Sequence, residues 1–539
     1  MSPTAVVTLT AVVVVVLGVS VATRPRSSST VDFYLAGQRV GVVTNSWAIC
    51  GDYLSAASFL GVAAAVYVSG LDGAWYAVGF AAGFVPVLLF VAAPLRRFGE
   101  FSLADFLGRR LESDAVRLSA VGVVQLVILC YLVPQSVGGG ITWELLVGHG
   151  LFGFSPYATG VLLSTAVVAV VVAYGGMRGT TWNQAVQFLL LFSALLWLAV
   201  TVTADGFHLT DVAPLETVGT PDGLAVAGGP AVREGRLGQV ALVVTLALGT
   251  AGLPHVMNRY FTSPTGRAAR TTTLWVLVLV GAFYALAVVL GTAARDVIPA
   301  AVAEHAWLEE LTEGGVLLVP EHALPVLGRI YGGEAGLGLV AAAALIAALS
   351  TVAGLLLASA ATWGHDVYER YLNPRATQRQ AVRAGRVTTL VGACLAAGLA
   401  VLMRPDGFTP TAPSLVATMV TWAFAVAGSA LTPVVVLSIW WRGMTAAAAA
   451  AGMLTGATLA VTLFITAELM PASPVRDLVS APTPVAASVA VVVIVLVSRR
   501  SARPAGTGAA WLTMHGTAAD RQAERLARMM VDRGRGRRR

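Results

Sequence analysis

Not one lysine occurs in the 539 residues, so all 35 basic side chains are arginines. A Walker A loop needs a lysine to reach the nucleotide phosphates, and its absence argues against ATP as a direct power source. Charge of either sign is scarce, at 12% of residues, about half the share usual in soluble globular chains. Hydrophobic residues reach 57%, which excludes a conventional cytosolic enzyme of this length and places most of the chain in lipid. Cysteine is rarer still. Cys50, Cys130 and Cys394 all fall in apolar segments, with neither CxxC spacing nor a disulfide framework. Arginine in place of lysine, with Ala, Val, Gly and Leu dominating, is the codon bias of a GC-rich bacterial genome. No aromatic residue interleaves the arginines of the C-terminal VDRGRGRRR, so nothing there indicates nucleic-acid recognition.

What the chain has instead is apolar runs. Windows of about 20 residues predict thirteen spans, at 5–22, 42–69, 74–95, 118–147, 155–175, 182–204, 237–258, 272–294, 333–363, 386–403, 412–440, 445–467 and 482–498. The first has no charge before it and Arg24 and Arg26 directly after it, which by the positive-inside rule puts the N-terminus outside. A cleaved signal peptide carries the opposite flank. The short segments then assigned to the inside, 23–41, 96–117, 176–181, 259–271, 364–385 and 441–444, hold eighteen arginines with their edges, against six outside. The external loops at 205–236 and 296–332 are rich in Asp and Glu. The tail from 499 ends in VDRGRGRRR, and residues 519–531 have the spacing of a basic helix lying on anionic lipid or, more simply, belong to a cytoplasmic tail.

Within these spans three constellations stand out. WAICGDYLSAASFLG (47–61) puts the carboxylate of Asp52 in the middle of an apolar span, a placement that costs about 2.5–3.5 kcal/mol on insertion scales and usually marks an ion or substrate pathway. Gly51 and Ser55 beside it favour a helix break, which frees backbone groups for a small ion. In span nine Ala347, Ser350 and Thr351 stand at i, i+3 and i+4 on one helix face. A loosened carbonyl and two hydroxyls there form an all-oxygen set suited to a hard cation; the alternative is hydroxyls bonded back to their own helix. In LGTAGLPHVMNRYF (248–261) Gly249, Gly252 and Pro254 interrupt span seven, and a second broken span is the mark of an inverted-repeat transporter. His255 after that break reads either as a packing residue or as a ligand. Gln125, Pro134, Gln135 and Gly138–Gly140 make span four polar and weakly helical, a gate or a tolerated kink.

Five segments, DFYLAGQ, GDYLSAASFLG, SLADFLGRRL, GTAGLPHVMNRYFT and STVAGLLLASAATWGHDVY, occur in this order and together resemble the sodium:solute symporter family, nearest its cation/acetate branch of monocarboxylate permeases. The resemblance runs to about residue 500. It implies an all-α integral membrane protein of about 13 transmembrane helices with a leucine-transporter-like core of two inverted five-helix repeats. The implied organisation is a first helix and cytoplasmic loop (1–41), a first repeat (42–204), an external loop (205–236), a second repeat (237–440), two C-terminal helices (441–498) and a basic cytoplasmic tail (499–539), in a bacterial plasma membrane.

Carried over residue by residue, the resemblance implies a sodium site from the backbone carbonyls of Cys50, Tyr53 and Ala347 and the hydroxyls of Ser350 and Thr351. Asp52 then tunes sodium or substrate binding without being a direct ligand. Acetate-branch members do not always keep both span-nine hydroxyls, so this chain combines an acetate-like span seven with a sodium-equipped span nine. For a short carboxylate the expected donors are Ser55, Gly249, Thr250 and His255, with Trp422 as an apolar wall, and the sequence shows no intramembrane arginine to clamp the anion. The implied activity is import of a small monocarboxylate such as acetate with sodium, not enzymatic and without ATP. Proton coupling, another solute such as proline, and a transporter-like receptor stand as alternatives; no nucleophile–base pair and no downstream domain speaks for an enzyme or a receptor.

Overall fold

The computed structural model describes residues 29–99, 101–208, 236–403, 415–471 and 473–517, with scattered positions in 7–23. The first expected span, most of the loop at 205–236 and the expected basic helix at 519–531 lie outside or largely outside the described residues. Apart from one two-residue hairpin, Thr312–Glu313 with Val316–Leu317, the described chain is helical. In an apolar solvent every backbone amide must find its partner within its own segment, and the helix is the element that allows this.

Among the described residues nine helical tracts are long and apolar enough to cross a membrane, or ten when the bent pair Arg236–Gly252 and Pro254–Phe261 counts as one. That is fewer than the thirteen expected: the first expected span lies largely outside the described residues, and two of the long helical tracts each run through two expected spans, 42–69 with 74–95 and 155–175 with 182–204. Ala57–Phe98, Pro156–Ala204 and Pro320–Leu372 are continuous tracts of 42, 49 and 53 residues. At about 1.5 Å per residue the second would measure about 74 Å, more than twice a hydrocarbon core of about 30 Å. Each is interrupted by a glycine with positive φ: Gly70 (φ 59°), Gly176 (φ 54°) and Gly333 (φ 55°). Only glycine enters that region freely, and at Gly176 a side chain would also collide with Phe33. The segment expected as a loop at 176–181 is thus a one-residue break in helix.

The elements that carry the site are α1 (Val42–Tyr53), α2 (Val62–Ser69), α3 (Asp114–Val147), α4 (Pro156–Ala204), α5 (Arg236–Gly252), α6 (Pro254–Phe261), α7 (Ala323–Ala361), α8 (Leu415–Val426) and α9 (Thr432–Trp440). Helix α7 is the centre of the fold: its most apolar 18-residue window lies in a stretch 94% buried within the protein, and it packs on α1, α3 and α4. Small residues allow this, since 339–361 is mostly Ala, Gly, Ser and Thr with Leu, the composition that lets membrane helices approach closely. The tail beyond 499 begins with a further helix, Thr507–His515. Its His515 Nε2 donates to the Ile439 carbonyl (2.8 Å), and Trp511 faces Arg442.

Candidate functional site

Helix α1 ends at Tyr53 because Leu54 leaves helical geometry (φ −77°, ψ 85°), and a π-turn at Ala57–Gly61 restarts the helix before α2. A break buried this deeply must have its backbone groups satisfied, and side chains of distant helices do so. The Ala56 amide donates to Gln135 Oε1 on α3 (3.0 Å), and the Thr351 hydroxyl on α7 donates to the Asp52 carbonyl (2.8 Å). Gln135 belongs to the polar stretch of span four, and its role here is to cap the restarted helix.

Asp52 is wholly buried. Its Oδ2 accepts from Arg259 Nε (3.1 Å) and its Oδ1 from Gln184 Nε2 (3.0 Å), which also donates to the Ser350 carbonyl (2.7 Å). The remaining nitrogens of Arg259 are used as well: Nη1 donates to Thr181 Oγ1 (2.7 Å) and lies 3.1 Å from Met177 Sδ, and Nη2 donates to Gln184 Oε1. Arg259 therefore corrects the expectation that the membrane interior holds no arginine. It sits on α6, buried, and its charge is engaged by Asp52. Glycines permit the close approach: a Cβ on Gly51 would overlap the Gln184 carbonyl, and one on Gly354 would overlap the Asp52 carboxylate. Beside this network a cavity of about 640 Å³ is lined by Arg39, Gly41, Thr44, Arg178, Thr181 and Trp182, among others. Thr44 lies two turns before Asp52 on α1 and Thr181 one turn before Gln184 on α4, and Thr181 joins the cavity to Arg259.

Of the residues expected at a sodium site, the structure joins α1 to α7 through the Thr351–Asp52 bond. The Ser350 hydroxyl donates to the Ala347 carbonyl (2.9 Å), and the Cys50 carbonyl accepts from the Leu54 amide (2.8 Å). The bond that crosses between the two helices is thus that of the Thr351 hydroxyl with the Asp52 carbonyl, while the Ser350 and Cys50 bonds stay within their own helices.

The residues expected to meet the solute divide. Ser55 is buried with its hydroxyl beside that of Tyr131, and His255 is 2% exposed with neither ring nitrogen hydrogen-bonded. Gln135 Nε2 is unpartnered too. The His255 ring lies edge-on to Tyr131, centroids 5.4 Å apart, and Tyr131 in turn contacts Phe424 (5.7 Å). Thr250 is engaged: its hydroxyl donates to the Leu246 carbonyl (2.9 Å) and pairs with the Tyr53 hydroxyl (2.9 Å). Gly249 serves close packing, since a Cβ there would press on Phe424. Trp422 lies edge-on to Phe464 (4.1 Å) of the helix Ala446–Leu469, whereas Phe424 packs against Tyr53, Phe80 and Tyr131. The aromatic wall beside the break is Phe424.

A second polar cluster joins two of the segments noted in the sequence. Arg117 pairs with Asp105 and with Asp366 (3.2 Å), and Ser102 donates to Asp366, all buried. It ties the helix Leu103–Arg110 to the end of the span-nine tract. Removing the cation leaves two buried carboxylates uncompensated, so Arg117→Met should cost about 3–5 kcal/mol. A thermal-unfolding midpoint in detergent within a degree of the parent would refute the pairing.

Comparison with known proteins follows from this geometry. A family model described as the sodium:solute symporter family matches residues 33–456. A monocarboxylic acid transporter from Corynebacterium glutamicum is 33% identical over 470 residues, covering 84% of this chain and 81% of that protein. Among solved structures, a Na+-coupled sialic acid symporter in a substrate-bound outward-open state superposes with a TM-score of 0.69 at 15% identity, covering 93% of this chain and 98% of that one. A nucleobase-cation-symport-1 family transporter in a closed conformation superposes with a TM-score of 0.51 at 13% identity, covering 91% and 99%. These likenesses show that the fold is that of such transporters.

Proposed function

The chain belongs to the sodium:solute symporter family and is a multi-pass membrane symporter, not an enzyme; from that premise we propose that it imports a short monocarboxylate such as acetate with sodium. The observation that carries the reading is the break after Tyr53. On one side of it the Thr351 hydroxyl bonds the Asp52 carbonyl, and the neighbouring Ser350 hydroxyl bonds the Ala347 carbonyl of the same helix; these two hydroxyls with the Cys50, Tyr53 and Ala347 carbonyls are the proposed sodium set, the oxygen-only donor chemistry a small hard cation takes. On the other side His255 and Gln135 Nε2 are buried without hydrogen-bond partners, close to the buried Ser55 and Tyr131 hydroxyls. Buried polar atoms are rarely left unsatisfied, and a carboxylate supplies the acceptors that an imidazole N–H and an amide require. The Phe424 and Tyr131 rings offer the apolar wall for a short alkyl group. The relative from Corynebacterium is named for the same solute class.

Uptake of labelled acetate into proteoliposomes under an inward sodium gradient tests this. Propionate, pyruvate or glycolate should compete, and proline or glucose should compete hardly at all. Better competition by proline or glucose would remove the carboxylate assignment.

A second reading is favoured by one feature, the carboxylate of Asp52: protons couple in place of sodium. In that case Asp52→Asn abolishes pH-driven uptake while Ser350→Ala and Thr351→Ala behave like the parent.

The architecture that goes with this function is thirteen spans with two inverted repeats at 42–204 and 237–440, in a bacterial plasma membrane with the N-terminus outside and the tail inside. The support is the arginine asymmetry between the two sets of loops. Single reporter cysteines in 205–236 and 296–332 should react with an impermeant reagent in intact cells, and those in 364–385 should not. Equal labelling of the two sets would overturn the orientation.

A further inference from the structure

We propose that the Asp52–Arg259 ion pair makes the site electrically neutral when nothing is bound, so that a monovalent cation and an anionic solute are admitted only together, one of each. The inference rests on the carboxylate reading above and adds the means and ratio of coupling.

Its first support is the closure of the pair. The Asp52 side chain is fully buried and that of Arg259 is 1% exposed, and among the described residues each has the other as its only salt-bridge partner. The uncharged groups around them, Gln184 and Thr181, take up hydrogen bonds without altering the charge. The second support is position. Arg259 follows His255 by four residues on α6, and Ser55 follows Asp52 by three across the α1 break, so each of the two broken helices carries one member of the ion pair and one buried hydrogen-bonding side chain, that of His255 without a partner. The Asp52 carbonyl meanwhile contacts Thr351 on the cation side. Cation and anion sites therefore both lie within about one helical turn of the pair.

The consequence is electrostatic. Net charge in a water-poor interior carries a large penalty, and a pair that loses one member leaves its partner uncompensated. With the pair intact, sodium alone would bring the site to plus one and a carboxylate alone to minus one. Bound together they restore neutrality. Each ligand thus raises the affinity for the other, and by linkage by the same factor. A carrier that needs only to relieve one missing charge requires one cation per carboxylate, and the loaded site crosses the membrane without net charge.

The test uses the purified full chain in proteoliposomes, as the parent, Asp52→Asn, Arg259→Gln and the double variant. Parent acetate uptake should depend on sodium and be unchanged when the membrane potential is moved from zero to inside-negative. Asp52→Asn leaves a standing positive charge, and the ratio of uptake with sodium to uptake without it should fall at least tenfold. Arg259→Gln leaves a standing negative charge, and it should bind labelled sodium, with no carboxylate present, at least tenfold more tightly than the parent. The double variant is neutral again and should recover sodium stimulation to within about threefold of the parent.

The inference is overturned if the double variant is no better coupled than the worse single variant, if Arg259→Gln binds sodium no more tightly than the parent, or if parent uptake responds to voltage. The voltage measurement needs no substitution and stands even where a variant fails to fold. The sodium-binding measurement needs no carboxylate, so a parent that carries no acetate would sink the proposed substrate while the Arg259→Gln result still decides the charge argument.

Discussion

Gly51→Ala should abolish transport, and Gly354→Ala should come close to doing so, although each adds a single methyl group far from the surface. At Gly51 the obstacle is the backbone of Gln184 on α4, which cannot rotate away, so α1 and α4 must separate. At Gly354 the obstacle is the Asp52 carboxylate, whose two oxygens are held by Gln184 and Arg259. Displacing it breaks a buried ion pair. Overpacking alone costs about 1–3 kcal/mol, and an unpaired buried charge adds about 3–5 kcal/mol. Uptake and thermal unfolding in detergent should fall together. Normal uptake by either variant would mean that α1, α4 and α7 do not meet as described.

The second large effect concerns the span-nine hydroxyls. Ser350→Ala and Thr351→Ala should each raise the half-saturating sodium concentration tenfold or more, about 1.4 kcal/mol, because each deletes one oxygen from a small set that must replace the ion's hydration shell. Thr351→Ala should be the more severe, since it also removes the only described side-chain bond from α7 to the Asp52 carbonyl. Ser350→Thr keeps its oxygen and should be milder. Sodium-titrated uptake measures all three. Unchanged half-saturation in both alanine variants would reduce these hydroxyls to helix decoration, bonded back to their own turn as Ser350 is to Ala347.

Much of this site was legible in the residues. A carboxylate in an apolar run is too costly to be incidental, so Asp52 announced itself, and Gly51 and Ser55 pointed to the break that the structure places at Leu54. The spacing of Ser350 and Thr351 put them on one face, and the motifs placed the chain in its family. Arg259 was hidden because it follows Pro254 in a short polar stretch that reads by hydropathy as the edge of a loop. Only the fold shows α6 buried on every side. Gln184 lies 132 residues from Asp52, a separation over which no periodicity speaks. Trp422 was two residues from the aromatic that packs on the break, and two residues are about 200° around a helix, so the wall fell to Phe424. Two pairs of expected spans are joined because single glycines, Gly70 and Gly176, turn the chain within one long helical tract.

The central claim is that a cation gradient, specifically sodium, drives a carboxylate through the Asp52 break. The most direct measurement is accumulation of labelled acetate in proteoliposomes of the parent chain, first under an inward sodium gradient at equal pH and then under a pH gradient with sodium absent. Accumulation above equilibrium in the first case and only equilibration in the second is the predicted result. Accumulation driven by the pH gradient alone, with no response to sodium, would contradict it.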